Sequence, residues 1–300
     1  MFQRVLVAGI GALGSELVKN LGLLGCERVF VADADVLETK NITRSLLMRD
    51  GTAGEGKVAH AIARLETLFP QTEWRGAAVE IADVKPEEFE HAEILFGCVD
   101  TDLARMEIAA LAARYRLNVC DAGLGGTSLR VGRVTWFPAM SPARETAACF
   151  GCLLNVRRRA ELLSTWESAV HACWAGAEKQ ESAWTSTPMM ASIVAGVQVE
   201  IALANTDSEK DAFTLHVDLD GNPMMQRIKH RRSAECPLHE AVYGEVFPVC
   251  TLAECLTCGA EFAPMRRVAW VRRRGVCPRC GNKAPIIRKS ASEVLVESAG

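Results

Sequence analysis

The sequence predicts an α/β fold, with a mainly parallel sheet covered by helices on both faces and a small cysteine-rich unit at its C-terminal end. Three observations predict it. Apolar strand-like runs alternate with helical patterns over the first part of the chain. A glycine-rich turn follows the first apolar run, and a second run ends in an acid. Paired cysteines replace long apolar runs near the end. We therefore divide the chain into a main domain at 1–245, with an irregular crossover segment at about 153–187, and a small domain at 246–300.

The first element is a strand–turn–helix unit. The apolar run from Val5 to Ala8 enters the turn GIGALG at 9–14, and leucines then recur at helical spacing. Glycines in such a turn let the backbone approach a phosphate, which the helix amino end holds with free N–H groups. Asp33 ends the second strand, at the usual distance for an acid that accepts from a ribose hydroxyl. The start of the chain therefore predicts a Rossmann-like, mononucleotide-binding unit.

The remaining elements follow from the same patterns. A helix from Lys57 to Phe69 has one apolar face and ends at Pro70. Thr185, Ser186 or Thr187 is the predicted cap of a long apolar helix that begins near Pro188. The other predicted elements are strands at 92–100, 118–124 and 128–137, a helix at 105–117 and a hairpin at 213–230 that turns at 220–222.

Composition excludes several classes of protein. The net charge of −3 gives no general attraction to nucleic acid, and the basic runs at 157–159, 230–232 and 272–274 are interpreted as solvated faces. The apolar start is too short to span a membrane and no signal-peptide cleavage pattern follows it, so we expect a cytoplasmic protein that binds no membrane. In that compartment, twelve cysteines indicate metal binding and thiol chemistry rather than disulfides.

The polar stretch VADADVLETKNITRS at 31–45 raises the question of its ligand. Two acids, an amide and a guanidinium together suit a molecule that is both sugar and phosphate. Alone the stretch is ambiguous, because acids at a strand end often only cap a turn.

Several short motifs occur in order along the main domain. They are the glycine loop, DAD at 33–35, NITR at 41–44, GK at 56–57, CVDTDLAR at 98–105 and CFGC at 149–152. Over residues 4 to 240 the chain resembles the MoeB/ThiF/HesA-like enzymes, which use ATP to adenylate the C-terminal glycine of a ubiquitin-like, β-grasp protein.

The resemblance implies roles for individual residues. Gly11 and its loop would hold phosphate, Asp33 the ribose, and Asp100 would bind Mg²⁺. The full set implied for nucleotide binding is Gly9, Gly11, Gly14, Asp33, Asp35, Asn41, Arg44, Lys57 and Asp100. The triphosphate would lie against Asn41, Arg44 and Lys57, and Arg44, Lys57 and Asp100 would also be catalytic. The chemistry agrees, because attack of a carboxylate on the α-phosphate brings two anions together and needs cations to neutralise them.

Homodimeric members of the family carry a short helix before the first strand, with an arginine that reaches the neighbouring subunit's ATP. This chain enters the first strand directly after Met1-Phe2-Gln3-Arg4. We therefore expect either a homodimer or a heterodimer in which a partner supplies the arginine.

Two CxxC pairs, each followed by glycine, predict a zinc ribbon in the small domain. Its ligands would be Cys255, Cys258, Cys277 and Cys280. Four thiolates leave no open position on the metal, so the site would be structural.

A third pair, Cys149 and Cys152, needs partners elsewhere. In the family such a pair shares zinc with a second CxxC after the long helix, and here the matching place reads Cys236-Pro-Leu-His239. A site of three cysteines and one histidine is ordinary for zinc. The alternative is that Cys250 replaces His239.

Five cysteines remain, and they divide by position. Cys26, Cys98 and Cys120 lie at or beside strands, where a small buried thiol is the plain interpretation. Cys250 has no assignment beyond that alternative. Cys173 lies in the crossover segment, where the resembled family often carries a cysteine that takes the adenylated carboxylate as a thioester, or forms a persulfide. His171 is close enough in sequence to lower the pKa of that thiol.

Four functions remain open at this point. The first is adenylation of a ubiquitin-like protein, followed by thioester formation on Cys173 and transfer to a conjugating enzyme. The second is adenylation of a sulfur carrier, as in thiamin or molybdopterin synthesis. The third is a non-catalytic scaffold half of a heterodimer, and the fourth is an NAD-dependent dehydrogenase.

Overall fold

The structure of the protein is a computed structural model. The structure describes residues 2–42, 45–125, 129–139, 147–155, 157–158, 187–205, 211–234 and 236, and the backbone of 252–255, 261–262 and 286–289.

An eight-stranded sheet forms the centre of the main domain. Its strands are β1 Arg4–Ala8, β2 Arg28–Ala32, β3 Glu73–Ala77, β4 Ile94–Gly97, β5 Asn118–Gly125, β6 Val131–Phe137, β7 Phe213–Asp218 and β8 Met224–Lys229. The spatial order is β3-β2-β1-β4-β5-β6-β7-β8. The first five strands in this order are parallel, and each later neighbour is antiparallel. The predicted mainly parallel α/β sheet is confirmed.

The order of the parallel strands creates a topological switch point. The chain moves from β1 outward to β2 and β3, then returns to place β4 on the other side of β1. The loops that leave β1 and β4 lead to helices on opposite faces of the sheet, which predicts a crevice between the carboxyl ends of these two strands. Ligands of open α/β sheets bind in such a crevice.

The described residues form the α-helices α1 Ala12–Leu23, α2 Thr39–Ile42, α3 Lys57–Leu68, α4 Pro86–Glu90, α5 Asp102–Tyr115, α6 Phe150–Leu153 and α7 Pro188–Asn205, and a short 3-10 helix at Ile81–Asp83. Successive residues of β1 point to opposite faces, so Val5 and Val7 join one core while Leu6 and Ala8 join the other. The first core holds buried residues of α1, α3 and α7, and the second holds those of α4, α5 and α6. Helices thus cover both faces, as predicted.

Helix α7 is long and apolar enough to cross a membrane by length and composition alone. It begins where predicted, because the hydroxyl of Thr187 accepts a hydrogen bond from the Met190 N–H at 3.2 Å. Val194, Gln198 and Val199 are buried, and the helix packs against α1 and β5. These contacts are those of a core helix.

One predicted pair of strands is confirmed, and one strand of the sheet was not predicted. The hairpin β7–β8 is confirmed, and Gly221 adopts the positive φ of 62° that its turn requires. Strand β3 was missed, because its sequence EWRGA lacks the apolar run that marked the other parallel strands. Tertiary pairing with β2 makes it a strand despite that composition.

The described backbone near the C-terminal end forms a second, three-stranded antiparallel sheet. It consists of β9 Leu252–Cys255, β10 Glu261–Phe262 and β11 Ile286–Lys289, in the order β10-β9-β11. Cys255 ends β9, but its side chain and residues 258, 277 and 280 lie outside the described part. The zinc ribbon stays a prediction.

Candidate nucleotide site and cysteine cluster

The glycines of the loop after β1 have different surroundings. Gly9 has a φ of +91°, and a Cβ there would lie 2.7 Å from the carbonyl oxygen of Cys98. A Cβ on Gly14 would lie 2.1 Å from the carbonyl oxygen of Gly9. A Cβ on Gly11 would meet no atom within 4 Å. Gly9 and Gly14 therefore allow close backbone packing, whereas Gly11 faces open space at the start of α1.

Asp33 lies directly beside this loop. Its Oδ2 accepts a hydrogen bond from the Ile10 N–H at 2.8 Å, and its Oδ1 accepts one from the Asp35 N–H at 2.8 Å. Burial raises the pKa of Asp33, while the Lys57 ammonium and the two backbone N–H groups oppose that rise. Each carboxylate oxygen keeps a further lone pair, so the group can still accept from a ligand hydroxyl.

Lys57 begins α3 and reaches the same two acids. Its Nζ lies 2.9 Å from Oδ2 of Asp35 and 4.0 Å from Oδ1 of Asp33. Only 6% of its side chain is exposed, so this ammonium is a nearly buried cation at the mouth of the glycine loop. The sequence placed Lys57 in the site but did not predict its pairing with Asp35.

Asn41 makes a local contact. Its Oδ1 accepts a hydrogen bond from the Glu38 N–H at 2.9 Å, which satisfies a free donor at the start of the short helix α2. Arg44, the neighbouring cation implied by the resemblance, lies outside the described residues.

Asp100 lies on the other wall of the crevice, after β4. The N–H of Cys98 donates to the carbonyl of Ala8 at 2.8 Å, so this segment is tied to the end of β1. Asp100 itself is exposed, and Thr101 caps α5 by accepting from the Ala104 N–H at 3.1 Å. The structure thus brings Gly11, Asp33, Lys57 and Asp100 to the carboxyl ends of neighbouring strands.

A buried ion pair that the sequence did not predict contacts the backbone just before Asp100. Nε of Arg105 donates to Oδ2 of Asp121 at 3.0 Å, and Nη2 of Arg105 donates to the carbonyl of Val99 at 2.6 Å. Arg105 belongs to the motif CVDTDLAR, but its sequence position gives no indication of its partner on β5.

Gln198 is the second residue that sequence reasoning missed. From α7, its Nε2 donates to the carbonyl of Gly97 at 3.1 Å and to that of Cys120 at 2.7 Å. The only feature of the sequence that could have indicated this role is a glutamine in an otherwise apolar stretch of the helix. It fastens α7 to the ends of β4 and β5.

The prediction of small buried thiols beside strands is confirmed for two of the three cysteines. Cys26 and Cys120 are buried and Cys98 is partly buried. Burial raises the pKa of Cys26 to about 12 and also raises the pKa of Cys98 and of Cys120. All three are protonated at neutral pH, which makes them poor nucleophiles.

Three of the four cysteine-cluster residues come together. The Sγ of Cys149 lies 3.8 Å from that of Cys152 and 3.6 Å from that of Cys236. Their mutual spacing suits one metal ion, and thiolates are ligands that zinc prefers. His239, the predicted fourth ligand, lies outside the described residues, as do Cys250 and Cys173.

This architecture, with its glycine loop at the switch point, defines an open α/β protein of the Rossmann-like class. The sequence profile of the ThiF family matches residues 2–238. The chain belongs to the ThiF family, and the resemblance seen in its motifs is confirmed.

Relatives of known name match parts of the chain. The SUMO-activating enzyme subunit uba-2 of Caenorhabditis elegans is 30% identical over 126 residues, which is 41% of this chain and 22% of the relative. The NEDD8-activating enzyme E1 catalytic subunit of Saccharomyces cerevisiae is 30% identical over 159 residues, which is 51% of each chain. The chain thus spans about half the length, or less, of these relatives.

Solved structures share the fold. E. coli MccB with ATP matches with a TM-score of 0.56 and 14% identity, covering 79% of this chain and 66% of that one. PaaA matches with a TM-score of 0.54 and 16% identity, covering 76% and 72%.

Proposed function

We propose that the protein uses ATP to adenylate the C-terminal carboxylate of a ubiquitin-like, β-grasp protein. The observation that carries this proposal is the crevice between β1 and β4. One wall combines the open glycine loop with Asp33 and the nearly buried Lys57, and the other carries the exposed Asp100.

The residues on the first wall fit a nucleotide. The amino end of α1 has no side-chain cap, so its N–H groups and dipole can hold a phosphate over Gly11. Asp33 keeps lone pairs for a ribose hydroxyl. Binding of a triphosphate would offer Lys57 a further anionic partner besides Asp35 and Asp33.

The second wall fits a divalent cation. Asp100 presents an exposed carboxylate at a strand end, and oxygen ligands of this kind suit Mg²⁺. Bound Mg²⁺ would neutralise phosphate charge, so that a substrate carboxylate can approach the α-phosphorus. A new C–O–P linkage then forms, the bond between the α- and β-phosphates breaks, and pyrophosphate leaves.

The relatives support the choice of substrate. Curated relatives are named as activating enzymes for SUMO, NEDD8 and ubiquitin, and E. coli MccB has been solved with ATP. An NAD-dependent dehydrogenase finds no support among them. Several relatives are named as subunits, which supports a heterodimer as the working form.

The test is exchange of labelled pyrophosphate into ATP in the presence of candidate β-grasp proteins. We expect Asp100→Ala to abolish exchange while the protein stays folded, because the change removes an exposed carboxylate and no core packing. Asp220→Ala, at the exposed turn between β7 and β8, is the matched control and should retain exchange. Exchange within a few-fold of wild type in Asp100→Ala would show that the Mg²⁺ site lies elsewhere.

A further inference from the structure

We infer that Arg105, held by Asp121, is a positioning residue that fixes the backbone carrying Asp100. This inference rests on the proposed function, because it assigns Asp100 to the metal of Mg²⁺-ATP. It adds two residues, on α5 and β5, that would act on the metal without touching it.

Asp100 depends on its backbone for its position. Within the described residues its carboxylate makes no hydrogen bond or ion pair, and the residue is exposed. The region that the carboxylate can reach is therefore set by the backbone of the short segment between β4 and α5. That segment has to be held from neighbouring elements.

Each of the three residues before Asp100 is held from a different element. Gln198 on α7 donates to the carbonyl of Gly97, and the N–H of Cys98 donates to the end of β1. Arg105 on α5 donates to the carbonyl of Val99 at 2.6 Å. Because Val99 directly precedes Asp100, the Arg105 contact is the nearest of the three to the metal ligand.

Arginine is suited to this role by its shape. Nη2 donates to the Val99 carbonyl while Nε of the same planar group donates to Asp121 at 3.0 Å. Only 8% of the Arg105 side chain and 5% of the Asp121 side chain are exposed. A lysine has a single nitrogen on a flexible stem and would not hold both partners in this geometry.

The neighbouring strand is adapted to the pair. Gly97 on β4 is the register partner of Asp121 on β5, and a Cβ on Gly97 would lie 2.5 Å from Oδ1 of Asp121. Glycine at this position leaves room for the carboxylate. Burial raises the pKa of Asp121, and the guanidinium groups of Arg105 and Arg133 oppose the rise, which favours the ionised form that binds Arg105.

The test is calorimetric titration of the protein with ATP, once in the presence of Mg²⁺ and once in the presence of EDTA. The difference between the two dissociation constants of ATP reports on the metal, and the value in EDTA reports on nucleotide binding alone. In Arg105→Lys we expect the dissociation constant in EDTA to stay within about two-fold of wild type. The gain in affinity that Mg²⁺ provides should fall by about 10- to 100-fold, the range seen when residues supporting a metal ligand are changed. Arg114→Lys, an exposed change on the same helix, should keep the full gain.

Asp121→Asn is a second variant, in which the new side chain has the same shape as the old. In this variant the gain in ATP affinity that Mg²⁺ provides should also fall. Thermal unfolding checks that each variant is folded. An undiminished gain in folded Arg105→Lys and Asp121→Asn would overturn the inference alone. Loss of cooperative unfolding in both would overturn it too, because the pair would then serve the fold. Failure of the wild-type protein to bind Mg²⁺-ATP would overturn the proposed function together with it.

Discussion

At the scale of single residues, two glycines of the stretch at 9–14 lack a side chain for different physical reasons. Gly14 packs its Cα against the Gly9 carbonyl, so its missing side chain serves the fold. Gly11 has free space where a Cβ would lie, so the absence of a side chain leaves that space open to a ligand. The motif spacing cannot separate these two reasons, because both require glycine.

The two glycines give a matched pair of substitutions. Gly11→Ala should leave the unfolding temperature within about 2 °C of wild type, since a surface change away from packing alters stability little. It should weaken ATP binding at least about ten-fold by obstructing the approach of phosphate. Gly14→Ala should lower the unfolding temperature by several degrees, because its Cβ would overlap a backbone carbonyl. Thermal unfolding and calorimetry check both. Tight ATP binding by Gly11→Ala would contradict the placement of the phosphate.

Part of the site could be predicted from single residues and part could not. Asp33 was predictable because its distance from the glycine turn follows from the fixed size of a strand–helix–strand unit. The partners of Lys57, Asn41 and Arg105 were not. A long side chain can reach several groups, and its partner depends on which distant elements the fold brings close to it. The local sequence does not contain that information.

At the scale of elements, periodicity predicted those that bury a regular apolar pattern. β1, β2, β4 and β5 were recognised by their apolar runs, and α3 by its apolar face. β3 lies at the edge of the sheet and carries mostly exposed residues, so no such run marks it. Edge strands obtain their conformation from pairing with a neighbour rather than from burial.

The cysteine cluster joins elements far apart in the chain. Cys149 is the N-cap of the short helix α6 and Cys152 lies within that helix, while Cys236 follows β8. We expect elemental analysis to give two zinc ions per chain, one in this cluster and one in the predicted ribbon. Cys236→Ser and Cys277→Ser should each reduce the value to one, because each removes one thiolate from a different site. Cys26→Ser, a buried thiol outside both sites, should leave two. A wild-type value near one would remove the assignment of Cys149, Cys152, Cys236 and His239.

At the scale of the whole molecule, the described thiols near the proposed nucleotide site are not of the kind that could take up an activated carboxylate. The described thiols near the crevice, Cys98 and Cys120, have raised pKa values and lie against α7. A thioester enzyme needs a thiol that a second protein can reach. Cys173, which lies outside the described residues, is the cysteine that the sequence assigns to this role.

Cys173→Ala tests that role. We expect it to leave pyrophosphate exchange nearly intact while it eliminates a thiol-sensitive covalent adduct with the ubiquitin-like protein. Non-reducing gels with and without reductant would follow the adduct. An adduct that persists in Cys173→Ala but disappears when Cys250 or Cys26 is changed would contradict the assignment. Strong exchange without any adduct in the wild-type protein would favour an enzyme that only adenylates, including one that serves sulfur transfer.

The packing of α1 against α7 has a consequence for synthesis of the chain. The hydroxyl of Ser192 donates to Glu16 across 176 positions of sequence, so the first helix of the sheet is covered by one made much later. At about 5 to 20 residues per second, a ribosome needs roughly 10 to 35 s to make the residues between them. During that interval the emerging chain exposes the apolar side of α1. We expect the nascent protein to need protection by chaperones until α7 has left the ribosome.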